Sequence, residues 1–456
     1  MPLVIAGERS GVGKTTLTLM ILACLRRWGH TVQAFKVGPD YIDPQFHTQV
    51  TGRPCRNLDP ILTSETYVQT CFGRHAQGVS HVLVEGVMGL FDGTGEPEYR
   101  GSTAHVARLL NLPVLLVIDC SRLSSSVAAL VQGYRTLDAR LTLAGVILNR
   151  VASDRHRELL LEALAPLGIP VLGLIPRQDD LGRPARHLGL VPPGELGDFA
   201  PWLDRLVGLG QRALAWEHLL PLLSAGRPSL APEVPRPAAT VRLGIAQDAA
   251  FNFYYADNLD LLGQWGAELV PWSPLQDTQG LPDVHGLVIG GGFPETFAAI
   301  LSSQSQLHRA LRHAAGRGMP MYAECGGLMF LSQSITAQTG ETWPMVGLLP
   351  TATQMAGRLT LGYRRGVVQA PSPFLHPGEL VWGHEFHHSV TTIPPPMPLY
   401  SLRGLGAAAV STPEGWVSNR VQASYLHLHW GEIPGIPQRL VARARAYAQT
   451  VSKGQR

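Results

Sequence analysis

No run of about twenty apolar residues occurs anywhere in the sequence, so no helix that spans a membrane is expected. The N-terminal segment lacks the basic start, apolar stretch and cleavage site of a secretory signal, and a cytoplasmic location is the expectation. Charge is scarce. Asp, Glu, Lys and Arg make up 16% of the residues, and 37 basic side chains nearly balance 34 acidic ones, for a formal net charge of +3. No basic face for nucleic acid or an anionic lipid surface is expected from that balance. Cysteine is rare too: Cys24, Cys55, Cys71, Cys120 and Cys325, an odd number with no C-x-x-C spacing, argue against a disulfide framework or a zinc ribbon. Glycine (49) and proline (36) are plentiful in the 456 residues, and 45% are hydrophobic. That mixture suits buried sheets joined by tight turns, in a chain long enough for two or three domains.

Apolar segments of strand length alternate with amphipathic, helix-like ones through the first half. Strands are expected at 3–6, 32–37, 81–85, 113–119, 143–149 and 170–175, and helices at 64–77, 103–110, 125–137 and 154–164. Such alternation indicates a parallel sheet covered on both faces, with ligands at the carboxyl ends of its strands. A helical stretch at 197–223 leads into a segment with five prolines between Gly226 and Ala238, an extended and semi-rigid connection. The pattern restarts at 241–246, with further strands at 286–289 and 320–323, each followed by a glycine cluster. Beyond Val346 short strands and turns rich in His and Pro are expected, then a closing helix at 437–449. The chain thus divides into 1–225, a linker at 226–240, and 241–450.

The first strand leaves through G-E-R-S-G-V-G-K-T-T, residues 7–16, into a helix-like stretch. Gly11 and Gly13 let the backbone bend and bring its N–H groups against a phosphate. The helix start adds unpaired N–H donors and the positive end of its dipole. Lys14 reaches the outer phosphates, and a hydroxyl of Thr15 or Thr16 can ligate magnesium. One more residue than usual separates Gly7 from Gly13, so the phosphate loop is off the common pattern. Carboxylates that end neighbouring strands are placed to hold Mg²⁺: Asp40 in K-V-G-P-D-Y-I-D-P and Glu85 in V-E-G-V-M-G-L-F-D-G. Work as helix caps or turn formers is the alternative for both. Asn149 can meet a base edge or cap a turn.

The off-pattern loop together with the Asp40 and Glu85 segments resembles the cobyrinic acid a,c-diamide synthases, and the loop is similar to that of the dethiobiotin synthetases. The resemblance implies a dethiobiotin synthetase-like P-loop domain, doubly wound around a parallel sheet, that uses ATP and Mg²⁺ to activate a substrate carboxylate. It places Asn149 at adenine and Asp40, Tyr41, Asp43 and Asp92 on the substrate side.

In the second half, Cys325 stands in P-M-Y-A-E-C-G-G-L, where a strand ends and two glycines open a helix. This is close to a nucleophile elbow, with Ala323 where Gly is usual. The helix dipole is expected to favour the thiolate and lower its pKa. The amide of Gly326 can serve an oxyanion, with a second donor from Gly291 or Gly292 in V-I-G-G-G-F-P-E. A base must come from one of two histidine clusters, 384–388 or 427–429. The first also admits a metal reading. L-V-I-G-G-G-F-P-E, Y-A-E-C-G-G-L and A-S-Y-L-H together resemble the class I glutamine amidotransferases of the cobyric acid synthase type. The resemblance makes His427 the base. The usual Glu two residues later is His429 here, leaving another carboxylate such as Glu385 as the orienting group.

The two resemblances, in this order and over nearly the whole chain, imply one enzyme: L-glutamine supplies ammonia and ATP activates an acid through an acyl phosphate. The implied substrates are the a and c acetates of cobyrinic acid or cobalt-free hydrogenobyrinic acid, in cobalamin biosynthesis, with a homodimer as the expected assembly. Three rivals are an amidoligase for another tetrapyrrole, such as nickel sirohydrochlorin or another corrin carboxylate; a P-loop ATPase with an inactive amidotransferase domain; and a metal-dependent hydrolase built on the histidines.

Overall fold

Seven apolar segments of the N-terminal half pair into one parallel sheet in the computed structural model, which describes residues 2–178, 185–186, 189–190, 199–225, 237–277, 280–406 and 409–454. They are β1 (Leu3–Gly7), β2 (Val32–Val37), β3 (Arg56–Leu58), β4 (His81–Glu85), β5 (Val114–Asp119), β6 (Leu143–Val151) and β7 (Val171–Pro176). Their order is β3-β2-β4-β1-β5-β6-β7. Every residue of β1, β2, β4 and β5 is buried, as expected of strands covered on both faces. The chain separates into two compact units, Met1–Pro232 and Glu233–Arg456. The proline-rich connection expected at 226–240 lies outside the described residues as far as 236.

Register decides which side chains meet at the sheet's carboxyl edge. Ile5 pairs with Glu85 and Lys36 also pairs with Glu85, so the ends of β1, β2 and β4 converge on one spot. On the other side of β1, Gly7 pairs with Val117, and Asp119 pairs with Asn149. The helix after the first loop, Lys14–Arg27, packs on the later helix Phe199–Ala213. A methyl at Gly210 would lie 2.6 Å from Met20 Cγ and 3.0 Å from Cys24 Sγ, so the two backbones approach closely only because that side chain is absent. The helix expected over 197–223 is therefore shorter. It ends at Ala213 and resumes as Trp216–Leu219 and a 3₁₀ turn carrying Pro221.

In the second unit the strand order is Ala267–Trp272, Val241–Ala246, Gly286–Ile289, Met321–Glu324, Val421–Ser424 and Trp416–Ser418. The first five run parallel and the last is antiparallel. The region beyond Val346 departs from the expectation of short strands. It contains an antiparallel ribbon of two long ones, Thr353–Val368 and Leu380–Thr391. An irregularity in register between Met355 and Thr360 interrupts the pairing of the two strands. His427–Leu428 adds to this ribbon, with His427 opposite His384. The closing helix is Gly435–Gly454, longer than expected at both ends. Among the described residues no helix is long and apolar enough to cross a membrane.

Phe330 is fully buried beside the six-stranded sheet, 5.3 Å from the ring of Phe251 and 5.7 Å from that of His308. Phe330→Ala is expected to destabilise the C-terminal unit by about 3–5 kcal/mol through lost contacts and a cavity. Chemical denaturation followed in that unit checks this; a loss below about 1 kcal/mol would contradict the packing described.

Candidate active sites

The glycine spacing of the first loop produces the backbone that a phosphate site needs. Gly11 and Gly13 adopt φ of 78° and 99°, and Gly13 caps the helix Lys14–Arg27. Lys14 is buried, and its Nζ donates to the carbonyls of Arg9 (3.1 Å) and Met88 (2.5 Å), lying across the loop. Burial, then the neighbouring Lys36, push its ammonium down to about 8. Thr15 Oγ1 donates to Glu85 Oε1 at 2.6 Å and lies 3.1 Å from Asp43 Oδ2. Thr16 follows on the helix, half-buried. Asn149 lies against the loop. Its Nδ2 donates to Val12 O at 2.8 Å, and a methyl on Gly13 would fall 2.5 Å from that nitrogen.

The acidic residues are arranged differently from the expectation. Asp40 turns Oδ1 to the N–H groups of Ile42 and Asp43 (2.8 and 3.0 Å), the capping role, and keeps Oδ2 3.8 Å from Lys36 Nζ. Asp43, one helical turn inside, takes the place beside Glu85 that Asp40 was expected to fill. Lys36 Nζ bridges them, 2.7 Å from Asp43 Oδ2 and 2.8 Å from Glu85 Oε1. His47 Nε2 meets the other oxygen of Glu85 at 2.7 Å. Burial alone would raise the Glu85 carboxyl, but Lys36 and His47 outweigh it and hold Glu85 well below the usual range. Burial, then repulsion from Asp40, lift Asp43 to about 6. Lys36 and His47 were not singled out from the sequence. Asp43 and His47 are four apart on one helix, a signal that was present.

The other expected members lie around this cluster. Tyr41 is buried at the start of the helix Ile42–Thr51. Asp92 is exposed and accepts the Gly89 N–H at 2.9 Å, so its carboxylate shapes the turn after β4. Beside the loop opens a cleft of 590 Å³ lined by Glu8, Arg9, Asp119, Ser121, Arg122 and Tyr134 among others. The oxygens of Thr15, Asp43 and Glu85 form a hard, anionic donor set, the kind that suits Mg²⁺.

In the second unit Cys325 has φ 46° and ψ −100°, a conformation that L-residues other than glycine rarely hold. Its own N–H donates to Ser424 O at 2.7 Å and the following turn is tied by Gly327 N to Gly290 O at 3.1 Å. Ala323, where glycine is usual, fits because it lies in the regular strand Met321–Glu324. The thiol does not have the lowered pKa expected from the helix dipole. Burial and then the charge of Glu295 raise it, against a smaller opposite effect of the Gly326 amide, and the helix behind it, Gly326–Leu331, is only six residues long.

The two glycine clusters meet. A methyl on Gly326 would lie 3.1 Å from Gly292 N, so the two expected oxyanion donors border one small space. Gly292 holds φ 154°, and a methyl there would fall 2.1 Å from Ala250 O. Gly291 leaves room for His427: a methyl would come within 2.5 Å of its Cε1 and 3.4 Å of its Nε2. The imidazole of His427 is fully buried with that edge toward the glycines and Nδ1 3.6 Å from Glu324 Oε2. Glu385, the orienting carboxylate expected from the sequence, faces elsewhere, and so does His429, which stands where the usual Glu is missing. His429 accepts the Gly431 N–H and lies 4.0 Å from Asp257, while Glu385 binds Arg364 Nε at 2.6 Å and lies 3.5 Å from His387 Nε2. His384 and His387 occupy positions of one strand that point to opposite faces, and among the described residues no group of three His, Cys, Asp or Glu ligands gathers at 384–388, with His388 counted. His384 is pushed down to about 3 by burial, with His427 and Arg364 adding to it.

Two family models match the chain. Residues 3–191 match the CobQ/CobB/MinD/ParA nucleotide binding domain, and residues 242–434 match the CobB/CobQ-like glutamine amidotransferase domain. A cobyrinate a,c-diamide synthase of Synechocystis sp. is 54% identical over 99% of this chain and 95% of its own. One from Synechococcus sp. is 53% identical over 96% and 97%. A hydrogenobyrinate a,c-diamide synthase of Streptomyces coelicolor is 41% identical over 97% of both chains. With likeness of this extent on top of the two sites, the chain belongs to the cobyrinate and hydrogenobyrinate a,c-diamide synthase family.

Proposed function

We propose that this protein is a glutamine-hydrolysing, ATP-dependent amidoligase that converts the a and c acetate carboxylates of cobyrinic or hydrogenobyrinic acid to amides in cobalamin biosynthesis. The observation that carries it is the presence in one chain of a strained cysteine turn beside two glycine amides and a phosphate loop facing Lys36, Asp43 and Glu85. Residues 1–225 are assigned the synthase role and 241–450 the glutaminase role.

In the glutaminase unit, Cys325 Sγ adds to the side-chain carbonyl carbon of glutamine while its proton passes to His427 Nε2. The N–H groups of Gly292 and Gly326 receive the oxyanion. The same proton then goes to the departing nitrogen, giving ammonia and a thioester, which water cleaves to glutamate and free thiol. In the synthase unit a carboxylate is inert to ammonia because its leaving group is poor. Transfer of the γ-phosphoryl group to a carboxylate oxygen releases ADP and gives an acyl phosphate; ammonia then displaces phosphate, with loss of a proton, and leaves the amide. Gly11, Gly13 and Lys14 cradle the phosphates and Asn149 stands on the adenine side. Tyr41, Asp43 and Asp92, with Asp40 behind them, face the acid. Mg²⁺ would be held by Thr15 with Glu85 and Asp43 and would supply charge compensation on the phosphates. Lys36 pairs with both carboxylates and favours their ionised forms.

Cys325→Ser is expected to abolish amide formation from glutamine while leaving formation from ammonium chloride within about twofold of the parent. Folded protein that fails with both nitrogen sources, or works with both, would overturn this division of labour. Lys14→Ala is expected to lower synthesis from either source by roughly 10³-fold, through loss of charge stabilisation in phosphoryl transfer; product analysis with retained synthesis would remove the nucleotide role of the loop. The depressed Lys14 also has a thermodynamic consequence. The empty site holds it charged below about pH 8 and neutral above, and a bound polyphosphate favours the charged form. Binding of MgATP at pH 8 should therefore take up about half a proton from the buffer, and far less at pH 6. Calorimetry in two buffers of different ionisation enthalpy reads this, and proton release at pH 8 would contradict it.

A further inference from the structure

The chain has no carboxylate two residues after His427, where glutaminases of this class carry one, and the structure supplies a different candidate. Glu324 is the residue immediately before the nucleophile, at the end of the strand Met321–Glu324, and it is buried. Its Oε1 accepts the Tyr322 O–H at 2.6 Å and the Leu428 N–H at 3.0 Å. Two donors on one oxygen, one from its own strand and one from the residue after His427, fix the plane of the carboxylate. The second oxygen is then left 3.6 Å from His427 Nδ1. On the far side of the ring, Gly291 gives way to Cε1 and Nε2. The imidazole is thus held between an acceptor at Nδ1 and open glycine backbone at the Nε2 edge.

From this geometry we infer that Glu324 is the positioning residue of the glutaminase, doing from the position before Cys325 what a carboxylate after the histidine does elsewhere. The inference rests on the glutaminase reading of Cys325 and His427. An Nδ1–H directed at Glu324 leaves Nε2 as the acceptor for the thiol proton, and the carboxylate stabilises the imidazolium that results. The 3.6 Å separation is slightly longer than a hydrogen bond, as is common before substrate arrives, and it shortens when the ring gains its proton. Placing nucleophile and carboxylate side by side in sequence also makes their relation insensitive to movement of any loop. The rotation of the chain at Cys325, φ 46°, lets adjacent residues present their side chains to opposite ends of the reacting group and its base.

The test exploits two substitutions that separate charge from packing. Glu324→Gln keeps the size and an oxygen acceptor for Tyr322 and Leu428 but removes the charge and can present an NH₂ to Nδ1. Glu324→Asp keeps the charge one methylene further away. Glutamine hydrolysis by Glu324→Gln is expected to lose roughly 10²-fold in kcat with KM for glutamine within about threefold, while ammonium-supported synthesis is unchanged. Glu324→Asp should turn over glutamine at least about tenfold faster than Glu324→Gln. A residue that only packs would give the reverse order, with Glu324→Gln active and Glu324→Asp impaired, and that result overturns the inference. So does loss in both variants accompanied by a matching rise in KM. Parent protein that releases no ammonia from glutamine would instead overturn the glutaminase reading itself.

Discussion

Lys36 is the group on which the nucleotide half depends. It is 3% exposed and its ammonium lies among Asp43, Glu85 and, at longer range, Asp40. Taking Glu85 wholly out of water is costly, and Lys36, His47 and Thr15 offset that cost by binding it. Removing one partner of such a buried set typically costs roughly 3–5 kcal/mol, because the charge left behind has no water to turn to. The register of the parallel sheet makes the cluster possible, since it brings β2 and β4 to the same level beside β1. Thr15, the first residue but one of the helix, is then delivered to Glu85 by the loop. Fold, loop and electrostatics are one arrangement here, because the strand ends must meet before the charges can be neutralised.

The glutaminase half is organised by backbone rather than by charge. Its turn at Cys325 costs of order 1–3 kcal/mol relative to an ordinary conformation. Ser424 O and Gly290 O hold it by accepting hydrogen bonds from the turn. The glycines around it serve close approach: Gly292 and Gly327 each face a carbonyl oxygen, of Ala250 and Ile289, at distances a side chain could not tolerate. The proposed oxyanion donors and the room for His427 therefore come from where side chains are missing.

Much of the fold was legible because buried parallel strands are apolar and short. β2 and β4, Val241–Ala246 and Gly286–Ile289 fall on the residues expected. β3 has three residues, too few to show a period, and the helix Ile42–Thr51 hides behind Pro44 and a run of polar residues, although proline is tolerated in a first helical turn. The turn that carries Cys325, the proposed nucleophile, was legible because a cysteine followed by two glycines after a strand has few other uses. Its partners were less so. Asp43 and Asp40 are equivalent in the sequence, and only the helix start between them decides which one caps and which one meets Glu85. Glu324 was passed over because the position before a nucleophile is normally read as strand. The helix-dipole argument for Cys325 failed because a six-residue helix contributes less than full burial removes.

The five cysteines are all buried, Cys325 included. For Cys24, Cys55, Cys120 and Cys325 that burial raises the thiol. For four of the five this preserves a core. For Cys325, the proposed nucleophile, it favours the neutral thiol and limits the access of oxidants and electrophiles to the sulfur. In the proposed glutaminase, activation of that thiol then falls to its base, and a buried neutral thiol needs less protection from oxidation than an exposed thiolate does.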